Sequence, residues 1–173
     1  MGPYSAEPMR PLELDRQALL FLRTRGHTHR LEQGAARFSR LGEHAACWFA
    51  LGAVGSALDR DPARRAAWRR GLAVTAASYA LNYGVKLVVR RPRPEIEGLA
   101  PLSPVVSRLS FPSAHATTSF AAAGAYRGLA PAWLLFGAAC LFAGSRPYLG
   151  VHYPSDVLAG ALLGSVLAAV WPQ

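Results

Sequence analysis

Four stretches of this 173-residue chain, residues 45–58, 71–85, 128–145 and 157–173, carry no charged side chain, and a fifth, 109–126, has only His115 as an acid–base group. Each is somewhat shorter than the roughly 20 apolar residues that cross a bilayer, so flanking polar residues have to complete each crossing. The alternative, five buried helices in a water-soluble domain, leaves too little polar chain to cover them. Only 17% of the residues are charged, against about a quarter in soluble domains. The blocks are rich in small residues, as in Ala121-Ala122-Ala123-Gly124. Small residues let membrane helices approach closely, whereas in a soluble helix each Gly costs about 1 kcal/mol against Ala. The expectation is an all-α, polytopic membrane bundle with about five transmembrane helices in residues 45–173.

Residues 1–44 differ. Leu12, Leu14, Leu19, Phe21 and Leu22 alternate with Asp15, Arg16 and Arg23, and Leu31, Ala35, Phe38 and Leu41 continue a helical spacing beside Arg30, Arg37 and Arg40. This reads as an amphipathic segment lying in the membrane interface. Residues 1–25 have no long apolar core behind a basic leader, so no cleavable signal peptide is expected. The net charge of +9 points to an anionic membrane rather than nucleic acid, because the arginines fall between apolar blocks and do not form one basic face on a soluble fold. Cys47 and Cys140 sit in apolar runs and read as packing residues. Residues 59–70 read as an Arg-rich loop, and 90–110, with four prolines, as the longest connection.

Counting five crossings puts the 90–110 and 145–156 connections on one face. Three polar clusters fall there. Lys86, the chain's single lysine, closes an apolar block and is followed by Arg90, Arg91 and Arg93. Pro112-Ser113-Ala114-His115 is a helix-start signal with Ser113 as N-cap, and such a terminus binds phosphate. In the third, Arg146 suits an oxyanion, and Asp156 lies four residues after His152, where a carboxylate can orient an imidazole. Each cluster alone also reads as an ordinary capped or snorkelling helix end. Together they place cationic donors, two helix N-termini, two histidines and an aspartate on one face. No Cys/His metal spacing and no carboxylate set for magnesium accompanies them. That set suits metal-free phosphoryl transfer, in which positioned charge does most of the work. No cofactor is expected.

The three clusters resemble the signature of the type 2 phosphatidic acid phosphatase superfamily: Lys86, six residues, then Arg93-Pro94; Pro112-Ser113-Ala114-His115; and Ser145-Arg146, five residues, His152, three residues, Asp156. The resemblance implies that His152 is a nucleophile forming a phosphohistidine, that Asp156 orients it, and that His115 is the general acid. It implies that Lys86, Arg93, Ser113, Arg146 and nearby backbone N–H groups bind the phosphate. Ala114 replaces the usual Gly and puts a methyl group beside the site. Arg91-Pro92 is a second Arg-Pro that could share the role of Arg93, whose spacing fits better. The apolar blocks point to the membrane, lipid-phosphate branch and away from the larger soluble vanadium haloperoxidases.

Leu41-Gly42-Glu43-His44, and the residues flanking His115 and His152, are similar to the branch that dephosphorylates decaprenylphosphoryl-5-phosphoribose. Undecaprenyl-diphosphate, phosphatidylglycerophosphate and phosphatidic acid phosphatases share the same catalytic residues. A non-catalytic lipid-binding scaffold is the distant alternative, disfavoured because every acid, base and nucleophile position is filled. Glu43, Arg90, Arg91 and Arg108 are headgroup candidates. The expected partners are a lipid-linked phosphate and membrane lipids, with no nucleic acid; an oligomer is compatible with the sequence. Six arginines lie on the face opposite the site and thirteen basic residues on its own, of which seven belong to the N-terminal segment and three to the phosphate site. With those set aside, the positive-inside rule favours a site on the extracytoplasmic face of the cell membrane, which is the expectation; with the N-terminal segment counted, the rule favours a cytoplasmic site.

Overall fold

Every regular element among the described residues, 11–172, is helical in the computed structural model. Residues 1–10 of the N-terminal segment, part of the stretch expected to lack a signal peptide, and Gln173 lie outside the described residues. The elements are α1 (Pro11–Thr24), α2 (His29–Leu41), a short 3-10 turn (Glu43–Ala45), α3 (Ala46–Leu58), α4 (Pro62–Val89), α5 (Ala114–Tyr126), α6 (Ala132–Tyr148) and α7 (Pro154–Val170). The last five coincide with the five apolar blocks.

One expectation is corrected at residues 59–70. Only 59–61 form a connection, and the Arg-rich part is the start of α4. Asp61 caps it by accepting from the Ala63 N–H at 2.9 Å, and Pro62 occupies the first turn, as its fixed φ favours. Ala63, Arg64, Arg65, Ala66 and Ala67 are strong helix formers, and Asp59 accepts from Arg64 Nε at 2.8 Å and Trp68 Nε1 at 3.2 Å. Charge at a block edge does not end a helix; a missing cap or a turn residue does.

α4 is the one helix among the described residues long and apolar enough to cross a bilayer unaided. At 1.5 Å per residue, 13-residue α3 and α5 reach about 20 Å and 17-residue α6 and α7 about 25 Å. Neither length alone spans the roughly 30 Å apolar core of a bilayer. Leu58, Val88, Trp133, Leu141, Leu158 and Leu162 are all more than 60% exposed. So much outward apolar surface marks contact with something other than water.

α5 is the central helix and packs against α4, α6 and α7. It can be central because it is narrow: Ala116, Ala121, Ala122 and Ala123 are fully buried. Its hydroxyls are satisfied locally, with Thr117 and Thr118 donating to carbonyls one turn back and Ser119 accepting from Trp48 Nε1. α7 meets it through Gly160 and Gly164. A Cβ on Gly164 would stand 2.1 Å from the Thr117 carbonyl oxygen, and one on Gly160 2.6 Å from that of Ser113. Backbone cannot yield as a side chain does. Gly164→Ala is therefore expected to destabilise by about 1–3 kcal/mol and to lower the thermal midpoint in detergent. Gly137→Ala, with nothing within 4 Å of its Cβ, should not lower it.

Candidate active site

The polar clusters meet at one end of the bundle, where α4 and α6 finish and α5 and α7 begin. α4 stops at Arg90, which is left-handed (φ 54°). Residues 91–93 then run antiparallel to 108–110, with the Ser110 N–H on the Arg91 carbonyl at 2.8 Å and the Arg93 N–H on that of Arg108 at 3.3 Å. This ribbon roofs the site. Lys86 Nζ is buried and donates to the Leu109 and Ser110 carbonyls, both at 3.1 Å. Arg93 Nε donates to the Ser107 carbonyl at 2.7 Å, and its Nη1 lies 2.6 Å from the Val151 carbonyl and 3.0 Å from His152 Nε2.

That last distance fixes a tautomer. A guanidinium only donates, so His152 Nε2 carries a lone pair and the ring proton sits on Nδ1. Among the described residues Nδ1 has no hydrogen-bond partner, and it faces Asp156 Oδ2 at 3.5 Å. Asp156 is wholly buried and accepts from the Tyr153 N–H and from Arg91 Nη1, both at 2.9 Å. Burial first, then the charges of Arg93, Arg146 and Lys86, hold the His152 imidazole well below the usual histidine range. It is a neutral base in a cationic box. Arg93 is itself drawn down to about 10 by burial, against the pull of Asp156, and stays charged at neutral pH.

Lys86, Arg93, Ala114, His115, Arg146 and His152 line a cavity of about 110 Å³, with Glu43, His44, Tyr79, Tyr83 and Val106 at its mouth. His115 Nε2 lies 2.9 Å from the Ser39 carbonyl oxygen. A carbonyl only accepts, so Nε2 holds a proton and Nδ1 is the nitrogen free to gain or lose one. Arg146 Nη1 donates to Ser39 Oγ, while its buried Nε has no partner among the described residues. A desolvated guanidinium N–H is costly unless an anion meets it. A larger apolar groove of about 480 Å³ between α2 and α6 holds no acid–base pair.

The structure thus brings Lys86, Arg93, His115, Arg146 and His152, with the headgroup candidate Glu43, to the cavity and places Asp156 behind His152. Ser113 is not at the cavity surface: it is fully buried, and its Oγ accepts from the Ala116 N–H at 3.5 Å as the α5 N-cap. Arg91 lies outside the cavity, forked between Asp156 and Asp15 and 4.1 Å over the Tyr153 ring. Sequence reasoning missed Ser39, which holds both His115 and Arg146, and Asp15, which accepts from Arg91 Nη2 at 2.7 Å and the Ser155 N–H at 3.0 Å. Neither stands in a motif; each is a polar position on an amphipathic helix. Among the described residues no three His, Cys, Asp or Glu side chains converge as metal ligands.

The PAP2 superfamily profile matches residues 67–173. The decaprenylphosphoryl-5-phosphoribose phosphatase of Mycolicibacterium smegmatis is 42% identical over 130 residues, 73% of this chain and 69% of the relative. That of Mycobacterium tuberculosis is 40% identical over 140 residues, 79% of this chain and 76% of the relative. The crystal structure of Aquifex aeolicus LpxE superimposes with a TM-score of 0.78 at 25% identity, covering 91% of this chain and 93% of that one. The matched span runs from α4 to the end of α7 and includes every cavity-lining cation and both histidines, so the chain belongs to the PAP2 superfamily as a membrane phosphatase.

Proposed function

We propose that this protein removes the terminal phosphate of decaprenylphosphoryl-5-phosphoribose through a phosphohistidine and without metal. The observation that carries the mechanism is buried, neutral His152, whose Nε2 lone pair accepts from Arg93 in a cavity lined by Lys86, Arg93 and Arg146, so that a phosphate drawing the Arg93 guanidinium to itself releases the lone pair for attack. The names of the mycobacterial relatives support the substrate. A dianionic phosphate enters among the three cations and takes up the unpaired Arg146 Nε–H. The N–H groups of Ala114 and His115, which have no intrahelical acceptor, add the positive end of α5; Ser113 serves the phosphate by capping that turn. His152 Nε2 attacks phosphorus, the bond to the ribose oxygen breaks, and His115 Nδ1 delivers a proton to the leaving oxygen. Asp156 stabilises the cation that develops on His152. Water then attacks the phosphohistidine, gives a proton back to His115 and releases inorganic phosphate, restoring neutral His152.

Five crossings by α3–α7, with the site extracytoplasmic, complete the reading. α1 fits an interfacial position: Leu12, Leu14, Phe21 and Leu22 are exposed, while Asp15 and Arg23 face inward.

Phosphate release by detergent-purified protein with EDTA present tests the proposal. The panel is decaprenylphosphoryl-5-phosphoribose, undecaprenyl diphosphate, phosphatidylglycerophosphate and phosphatidic acid. Preference for the phosphoribosyl lipid is expected. Equal turnover of all four removes the substrate assignment, and loss of activity in EDTA removes the metal-free mechanism.

The depressed His152 pKa gives a separate expectation. In ¹⁵N-histidine spectra of the free protein, His152 should remain neutral at about pH 6, where an unperturbed histidine is mostly protonated. The unfolded chain takes up that proton below about pH 6.5 and the folded one resists it. The group's contribution to stability is therefore full above that pH and lost as pH falls toward the depressed value. Titration near the ordinary histidine range would contradict the cationic box.

A further inference from the structure

Beside His115 the chain makes a sharp corner. His44 (φ 51°) and Ala45 (φ 59°) are both left-handed, and Gly42 lies so close that a Cβ there would stand 3.0 Å from His115 Cδ2. The corner thrusts Glu43 and His44 to the cavity mouth. The Glu43 side chain is half-buried and makes no hydrogen bond or ion pair among the described residues, although its charge acts on Arg146. His44 Nδ1 is held by the Tyr79 hydroxyl at 2.8 Å, which leaves its Nε2 free. Among the described residues Glu43 is the one carboxylate lining a cavity whose charged groups are otherwise the cations Lys86, Arg93 and Arg146.

We infer that the Glu43–His44 corner selects the leaving group, accepting one with vicinal hydroxyls, a furanose sugar, and rejecting one that is itself a phosphate. This rests on the function proposed above. The leaving oxygen takes its proton from His115, so the departing portion of the substrate lies on the His115 side, where the corner stands. A carboxylate there accepts from two adjacent hydroxyls, as acidic residues do for ribose in dinucleotide sites, and His44 Nε2 supplies a complementary contact. The same carboxylate repels the second phosphate of a diphosphate lipid, and a built-in repulsion is an effective way to discriminate. The cations deeper in the cavity bind the transferred phosphate in either substrate and cannot distinguish the two.

The experiment compares kcat/KM of wild type and Glu43→Gln on decaprenylphosphoryl-5-phosphoribose, its 2-deoxyribose analogue and undecaprenyl diphosphate. In wild type, the analogue should be about tenfold poorer than the ribosyl lipid. Glu43→Gln should lose about tenfold on the ribosyl lipid, lose little on the analogue, and hold or gain on the diphosphate. Equal factors for all three substrates would overturn the inference. Wild type alone also decides: an analogue turned over as fast as the ribosyl lipid overturns it even if the variant does not fold. Failure of the underlying function is distinct, because wild type would then release no phosphate from the ribosyl lipid at all.

Discussion

His152→Ala is expected to reduce phosphate release by about 10⁴-fold or more, the scale seen when a nucleophile acting with its base is removed. Three features of the geometry make the loss this large. The lone pair on Nε2 is the one nucleophile in the cavity whose protonation state is fixed by its neighbours: Arg93 forbids a proton on Nε2, and the surrounding cations forbid a second one on the ring. His115 cannot fill both roles: its Nε2 is committed to the Ser39 carbonyl, and its one free nitrogen, Nδ1, is the proton donor to the leaving oxygen. Asp156 cannot activate a water in place of His152, because it is wholly buried behind the imidazole. Rapid acid-free quenching of wild type with radiolabelled substrate should trap a phosphoprotein that His152→Ala does not form. His115→Ala should slow both formation and decay of that species, since one proton shuttles through it in both steps. Full activity in a folded His152→Ala protein, judged by an unchanged thermal midpoint and elution volume, would overturn the nucleophile assignment.

Much of this site is legible in the sequence because its residues act at helix ends, and helix ends are written locally. Pro112-Ser113 before an apolar run and Pro154 two residues after His152 mark where α5 and α7 begin, and the four-residue step from His152 to Asp156 brings the carboxylate back beneath the ring. Counting crossings then puts all of it at one end. The corrections and omissions come from contacts with no local spacing. Arg91 and Arg93 are equivalent as Arg-Pro pairs, and they separate only through their partners in the fold: Arg91 forks between Asp156 and Asp15, while Arg93 reaches the Val151 carbonyl and His152. α1 shows its apolar residues in sequence but not its direction. Leu19 is buried, yet the rest of its inward face is Asp15 and Arg23, and Leu12, Leu14, Phe21 and Leu22 face out. That inversion is normal where the surroundings are apolar and the protein supplies the polar partners. It cannot be read from periodicity, which gives two faces without saying which is inside. The 59–70 stretch differs for another reason: its charge density suggests a loop, whereas helix propensity and an Asp-Pro cap decide.

Arg91→Leu is expected to cost about 3–5 kcal/mol, the penalty for leaving buried charge unpaired, and to lower activity far more than its distance from the phosphate suggests. Arg91 holds two carboxylates apart and in place: Asp156 Oδ1 at 2.9 Å and Asp15 Oδ2 at 2.7 Å, with exposures of 0% and 8%. Without the guanidinium these charges face each other across the start of α7. Burial pushes the Asp15 carboxyl up, but hydrogen bonds from Ser155 and Arg91 outweigh it and hold the group below the usual range. The loss of Arg91 would therefore raise it and free α1 from the bundle. Asp156 would turn from His152, whose Nδ1 has no other partner. Arg91→Lys keeps the charge but not the fork that reaches both carboxylates; it should be milder in stability and still lose about tenfold in kcat. Asp15→Asn should weaken the clamp on α1 while leaving the Arg91–Asp156 pair intact, so it should move the thermal midpoint more than kcat. Competition by inorganic phosphate separates this positioning role from phosphate binding. Arg93→Lys should raise the inhibition constant, and Arg91→Lys should leave it unchanged while still lowering kcat. A raised constant in Arg91→Lys, or wild-type stability in Arg91→Leu, would mean that Arg91 serves the phosphate directly and that the two Arg-Pro pairs share one task.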